Sequence, residues 1–109
     1  MEKIFNKLVR DNIPNIIHSN NEVAITRILS NEEYRLELYK KLKEECEEVI
    51  ESKTSSETIE ELADVFEVLK SIAQLENKSI DDVINVASEK CLKRGGFEKK
   101  IFLEKTYKK

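Results

Sequence analysis

Apolar residues recur every three or four positions along three stretches of the chain, a spacing that places them on one face of an α-helix. The first stretch has a narrow stripe, formed by Leu38, Tyr39, Leu42, Cys46 and Val49. The second has a broad arc, formed by Ile59, Leu62, Val65, Phe66, Val68, Leu69, Ile72 and Ala73. The third stripe consists of Ile80, Val83, Ile84, Ala87 and Cys91. The pattern predicts three long helices, the second wide enough to face two neighbours.

Capping residues predict where the first two long helices begin. Ser30 with Glu33 three positions later forms a capping box, and this helix should run to about Ser52. After the polar break "SKTSSE", Ser55 or Ser56 should cap a second helix that runs to about residue 76. Because the connection is short, these two helices should pack antiparallel.

The third long helix should begin after Ser79, with Asp82 completing its capping box, and end at Gly95–Gly96. Residues 1–11 have no regular pattern, and Pro14 suits the first turn of a short helix from about Asn12 to Ser19.

Two further segments suggest strands. Residues 22–29, "EVAITRIL", alternate and contain β-branched side chains, and the tail "FEKKIFLEKTY" could pair with them. We therefore expect a single domain over residues 1–109. Its fold should be all-α, an antiparallel bundle of three long helices plus a short N-terminal helix, with a minor β accessory from residues 22–29 and the C-terminal tail.

Composition and charge limit the kinds of molecule that the chain is expected to bind. Charged residues make up 38% of the 109 positions, but the net charge is only −3 and the basic residues are scattered, so general affinity for nucleic acid or membranes is not expected. No apolar run approaches a membrane span, and the N-terminus lacks the apolar core of a secretory signal. We expect a cytoplasmic protein whose Cys46 and Cys91 are reduced and packed within helices.

The sequence also limits which side chains could catalyse a reaction or bind a metal. His18 is the only histidine and lies in a polar segment, where an ordinary surface residue is the simpler interpretation. Catalytic triads and multi-histidine zinc sites are therefore disfavoured. Chemistry in this chain should depend on carboxylates, lysines and arginines.

Acidic residues are concentrated between Glu44 and Asp64, where nine carboxylates face one lysine. On a helical wheel, Glu45 lies about 60° from the centre of its stripe, and Glu48 continues the same row. Glu61 projects into the broad arc, with Asp64 beside it. Antiparallel packing would bring the two i, i+3 pairs together, and Mg²⁺ would suit four converging carboxylates. Solvated faces with intrahelical ion pairs remain the alternative.

Two basic residues of the third helix are a possible counterpart to this predicted site. Lys90 is at the edge of the apolar stripe and Arg94 lies within it, at about −60° and −20° from Ala87. Their stems could simply cover apolar surface. Beside a metal site, however, an ammonium and a guanidinium suit phosphate oxygens.

Several segments resemble those of MazG-like, phosphoribosyl-ATP pyrophosphohydrolase-like proteins, which belong to the all-α nucleoside triphosphate pyrophosphohydrolase superfamily. In chain order the segments are "NKLVRDNIP", "TRILSNEEY", "LKEECEEV", "EELADVFEVL" and "KRGGFEKKI". The resemblance implies Mg²⁺-dependent cleavage of nucleoside triphosphates between the α and β phosphates, with Mn²⁺ as a possible substitute. It also implies metal ligation by Glu45, Glu48, Glu61 and Asp64.

The resemblance further matches Lys90 and Arg94 to phosphate-contacting residues. It includes Lys7, Arg10 and Asp11 in an N-terminal motif, to which we assign candidate substrate binding through Lys7 and Arg10 without a firm role. Relatives often have Lys where this chain has Asn12. As the residue that activates water, Glu45 or Glu48 is preferred over Glu44, which faces away from the stripe.

Alternatives remain at this level. A catalytically silent helical module that regulates a partner would show no pyrophosphate release, and phosphoribosyl-ATP is a possible substrate. The residues do not indicate which base or sugar is preferred. The width of the second apolar arc predicts a homodimer or homotetramer, because one chain of this length does not readily cover it.

Overall fold

A computed structural model describes all 109 residues, which form four helices and no strand. The helices are α1 (Ile13–Ser19), α2 (Asn31–Glu51), α3 (Ser55–Leu75) and α4 (Ile80–Arg94). Each long helix lies where the apolar periodicity predicted it, so the all-α prediction is confirmed. No helix combines the length and hydropathy that a bilayer crossing requires.

The start of α2 is fixed by the predicted capping box. The Glu33 N–H donates to Ser30 Oγ at 3.2 Å, and the Ser30 N–H donates back to Glu33 Oε1 at 3.3 Å. Arg27 extends this cap, because its guanidinium donates to both Glu33 oxygens at 3.1 and 2.9 Å. The carboxylate thus serves the helix terminus and an ion pair together.

The predicted cap of α3 was wrong by one residue. Thr54, not Ser55 or Ser56, is the N-cap, and its Oγ1 accepts the Glu57 N–H at 3.1 Å. Thr54 has the extended backbone that a cap requires, with φ −125° and ψ 157°, whereas the two serines already lie in the first helical turn.

Helix α4 begins and ends as predicted. Ser79 and Asp82 form its capping box, and Gly95 follows its last residue with φ +79°, a region that favours glycine. The predicted apolar stripe of α4, however, is not covered: Val83 and Ile84 remain 43% and 46% exposed. Cys46 and Cys91 are free thiols, but both are exposed rather than packed.

Helices α2 and α3 pack antiparallel and provide the core. The three-residue connection 52–54 reverses the chain, and Arg35 near the start of α2 bonds Glu76 just beyond α3 at 2.7 Å. Leu38, Val68 and Ala73 are the buried apolar residues. Helix α4 packs against α3, whereas α1 packs against no other helix.

The predicted β accessory is not formed. Residues 22–29 and the tail have no strand, and no backbone hydrogen bond joins them. Ile28 and Phe102 are 96% and 88% exposed, so these apolar side chains are not covered by their own chain. A strand requires a partner for its backbone groups, and within one chain these segments have none.

Candidate metal centre

Helices α2 and α3 bring Glu45, Glu61 and Asp64 together. One carboxylate oxygen from each residue lies within 4.8 Å of the others. Glu61 and Asp64 are one turn apart on α3, and the antiparallel packing of α2 places Glu45 opposite them. The convergence of these three side chains is as the helical wheel predicted. We call them the acidic cluster.

The acidic cluster is partly removed from water. Glu45 is 8% exposed and is the only charged residue among the buried ones. Glu45 Oε2 and Glu61 Oε2 are both buried without a hydrogen-bond partner. An ionised carboxylate only accepts hydrogen bonds, so these oxygens need a donor or a cation that the surrounding carboxylates do not supply. An unpaired buried charge is costly, and the cluster is therefore a site that attracts protons or cations.

Glu48 is the fourth predicted ligand and lies at the edge of the acidic cluster. It is exposed, and its carboxyl interacts with both Glu45 and Glu61. Burial and then the neighbouring Glu48 carboxyl raise the pKa of Glu45. The Glu48 side chain, followed by burial, raises the pKa of Glu61. Burial and the neighbouring carboxyls thus favour the neutral forms of Glu45 and Glu61.

Two protein cations reach the acidic cluster, each at a different carboxylate. Lys41 Nζ lies 3.7 Å from Glu45 Oε1 and 3.8 Å from Glu44 Oε1. Arg10 Nη2 donates to Asp64 Oδ1 at 2.6 Å. Neither cation meets the two unpartnered oxygens. Lys41 was not singled out from the sequence, although its i, i+4 spacing from Glu45 was a usable signal.

The other predicted basic residues are not in ion pairs with the acidic cluster. Lys7 Nζ lies 5.8 Å from the centre of the Phe5 ring. Lys90 and Arg94 are exposed on α4, and neither forms a salt bridge. Of the four predicted substrate-binding cations, Arg10 alone lies at the carboxylates within this chain.

An open groove adjoins the acidic cluster at Asp64. Its volume is about 710 Å³, and it is lined by Arg10, Glu60, Ala63, Asp64, Phe66 and Glu67. A guanidinium, an aromatic ring and a cluster carboxylate therefore share one surface. The sequence placed Phe66 in the apolar arc of α3, but periodicity does not show which part of a broad arc stays open.

The chemistry of the donors decides which ion the acidic cluster suits. All its donors are carboxylate oxygens, with no thiolate or imidazole among them, and two of these oxygens lack any partner. Hard divalent cations prefer oxygen ligands of this kind. The residues thus fit such an ion, and its positive charge would offset the burial and the carboxyl neighbours that raise the pKa values of Glu45 and Glu61.

Comparison with protein families gives one match. The model of the MazG nucleotide pyrophosphohydrolase domain matches residues 33–96, which is more than half of the chain. The matched region contains the acidic cluster, Glu48, Lys90 and Arg94, whereas Lys7 and Arg10 precede it. Comparisons with curated proteins and with solved structures give no match.

Proposed function

The chain belongs to the MazG nucleotide pyrophosphohydrolase domain family, and from this premise we propose that it cleaves nucleoside triphosphates between the α and β phosphates. The products are a nucleoside monophosphate and pyrophosphate. The observation that carries the proposal is the pair of buried, unpartnered carboxylate oxygens of Glu45 and Glu61 at the junction of α2 and α3. These oxygens favour the binding of a cation, and cleavage of a triphosphate requires a cation to neutralise its negative charge.

Mg²⁺ is the proposed cofactor, with Mn²⁺ as a substitute. Glu45, Glu61 and Asp64 would hold it, with Glu48 at the edge. When bound, the ion supplies charge neutralisation at the triphosphate oxygens and lowers the pKa of water. The donor chemistry of the acidic cluster supports this assignment.

Glu45 and Glu48 are the proposed catalytic carboxylates. Glu45 is buried and would fix the geometry of the site, whereas Glu48 is exposed and within reach of water. In the proposed step a water oxygen bonds to the α phosphorus, and the bond from that phosphorus to the α–β bridging oxygen breaks. The water proton passes to Glu48, and the electron pair of the broken bond leaves with pyrophosphate. This division of roles follows from the difference in exposure, because an attacking water must reach its base.

Substrate phosphates need cations, and Arg10 is the best placed of them. Its guanidinium lines the groove beside Asp64, whose volume lies within the range of small-molecule sites, roughly 300–1,000 Å³. We propose that Arg10 exchanges its bond to Asp64 for a bond to a phosphate oxygen. Lys7, Lys90 and Arg94 remain proposed substrate contacts, which would require approach of their segments or of a second copy.

A homodimer or homotetramer is the proposed assembly. Exposed apolar residues on α3 and α4 support it, including Leu62 and Phe66, each 46% exposed. The proposed role is removal of unwanted nucleotides from a cytoplasmic pool.

The decisive experiment is a panel of ordinary and modified nucleoside triphosphates, plus phosphoribosyl-ATP, incubated with Mg²⁺ while pyrophosphate and orthophosphate are both followed. We expect pyrophosphate and a nucleoside monophosphate in equal amounts, with no reaction after chelation. Orthophosphate as the sole product would instead indicate a phosphatase. Absence of turnover across the panel, with the fold intact, would favour the silent regulatory module.

A further inference from the structure

The last thirteen residues leave the body of the protein without covering anything. We call residues 97–109 the C-terminal arm. It carries five large apolar side chains, and the fractional exposure of these is between 73% and 97%: Phe97, Ile101, Phe102, Leu103 and Tyr107. Its one backbone hydrogen bond is the turn from the Lys100 N–H to the Phe97 carbonyl. Such a concentration of exposed apolar surface marks an interaction segment.

The dimensions of the chain show how much surface lacks a partner. Its accessible area is 10441 Å², whereas a compact monomer of 12.7 kDa exposes roughly 6,200 Å². The radius of gyration is 18.8 Å, against about 13 Å for a compact domain of this length. A stable dimer needs only about 800 Å² from each partner. The surplus area is thus ample for an interface between copies.

A complementary apolar surface lies on α3. Helix α2 covers one side of the broad apolar arc, where Val68 is buried. The other side stays bare along four residues, 38–67% exposed, that we call the α3 stripe: Ile59, Leu62, Phe66 and Leu69. Their spacing of three and four positions makes a continuous strip on the helix.

The C-terminal arm is opposite in charge to α3 and is long enough to cover the α3 stripe. The arm contains five lysines and two glutamates, a net charge of +3, whereas residues 55–75 contain five acids and one lysine, a net charge of −4. An extended segment of this length spans about 43 Å, and the 21 residues of α3 span about 31 Å. The arm can therefore cover the whole stripe while its lysines flank the acidic residues.

We propose that the C-terminal arm of one copy docks along the α3 stripe of a second copy. Within its own chain the apolar side chains of the arm are uncovered, which leaves them free to meet a second copy. Phe66 belongs both to the stripe and to the groove beside Asp64. A docked arm would therefore cover the open side of that groove. It would also bring its lysines close to the acidic residues of α3. A role for these lysines in binding a substrate would rest on the proposed function, whereas the docking itself does not.

Disulfide trapping tests the docking directly. In a Cys46→Ser, Cys91→Ser background, Leu62→Cys is placed on one tagged copy and Phe102→Cys on another, and the two are mixed and mildly oxidised. We expect a mixed disulfide-linked dimer that forms at least tenfold faster than with Lys43→Cys, an exposed control on α2. A chain carrying both cysteines that closes on itself as a monomer would show docking within one chain and overturn the proposal.

Sedimentation without nucleotide provides the second measurement. The full chain should be at least dimeric at micromolar concentration, and a chain ending at Gly96 should dissociate with at least a tenfold larger Kd. Leu62→Ser should weaken the assembly similarly, whereas Leu36→Ser, at an exposed site on α2, should not. A monomeric full chain, or a truncated chain that associates equally well, overturns the proposal. Neither measurement depends on catalysis. The docking proposal can therefore fail while the proposed hydrolysis holds, and the reverse.

Discussion

Arg10 and Asp64 are joined by a 2.6 Å hydrogen bond across 54 positions of sequence. It is the only side-chain hydrogen bond between residues 1–12 and the long helices. The segment that precedes α1 is thus held at the rim of the acidic cluster by one guanidinium. That guanidinium engages a carboxylate that the proposed metal ion also needs.

Replacing Arg10 by Gln should tighten the binding of Mn²⁺ to the protein. Removing a competing cation frees Asp64 and makes the acidic cluster more negative. Because the pair is exposed, the gain should be modest, roughly twofold to fivefold in Kd. Electron paramagnetic resonance of free Mn²⁺ measures it. Arg27→Gln removes a similar exposed ion pair, with Glu33, and should leave Mn²⁺ affinity unchanged. Weaker Mn²⁺ binding in the Arg10 variant would contradict the competition.

Replacing Glu61 by Gln should abolish hydrolysis without unfolding the chain. The amide keeps the size of the side chain but removes a charge from the acidic cluster, so turnover with Mg²⁺ should fall by about 100-fold or more. Pyrophosphate release measures turnover, and circular dichroism reports the helices. Glu47→Gln, at an exposed position on the same helix as Glu45, should retain activity. Full turnover in the Glu61 variant would remove this residue from the mechanism.

The acidic cluster should make the metal-free protein less stable as pH rises. The pKa values of Glu45 and Glu61 are raised in the folded chain, so the folded state binds protons more tightly than the unfolded state. Proton binding by these two carboxyls stabilises the folded state fully below their unfolded pKa, about 4.3. This stabilisation is lost as pH rises through their folded pKa.

Calorimetry of Glu45→Gln in a chelator measures this effect. The amide mimics the neutral carboxyl, so the Tm of the variant relative to the parent should increase between about pH 4.5 and pH 7. Glu47→Gln should give a difference that does not vary with pH. A Tm difference for Glu45→Gln that is constant or decreasing over this range would show that folding does not raise the pKa of Glu45.

Glu33 should show the opposite dependence. The hydrogen bond from Arg27, with a further one from the Ser30 backbone, lowers the pKa of Glu33 to about 2. Its contribution to stability is therefore present above the unfolded pKa and is lost as pH falls towards about 2. Side-chain carboxyl NMR measures the titration. Arg27→Gln should move the pKa of Glu33 upwards, and an unchanged value would assign the shift to the helix cap alone.

The contact between α2 and α3 depends on a few apolar side chains. Leu38 is 3% exposed, so Leu38→Ala should lower the free energy of unfolding by about 2–5 kcal/mol. Leu36→Ala, at an exposed position on the same helix, should change it by less than about 0.5 kcal/mol. Urea denaturation at one fixed protein concentration compares the two. Equal losses would mean that Leu36 is also buried, as an interface between copies would produce.

Local sequence patterns were enough to locate the long helices and the starts of two of them. Apolar spacing located α2, α3 and α4, because a helix has a fixed period, and Ser30 and Ser79 marked helix starts through local hydrogen bonds within four residues. The sequence also selected Glu45, Glu61 and Asp64, since antiparallel packing follows from a short connection. Two differences separate these predictions from the structure: Thr54 rather than a serine caps α3, and Glu48 lies outside the group of three carboxylates.

Tertiary structure decided which surfaces and charges meet. The sequence could not show that Arg10 bonds Asp64. Arg10 lies in an irregular segment, and the position of such a segment relative to the helices does not follow from a periodic pattern. The sequence wrongly paired residues 22–29 with the tail, because β-propensity records suitability for a sheet and not the presence of a partner strand. Burial likewise depends on what lies opposite a face. This is why one side of the α3 arc forms the core and the other remains bare.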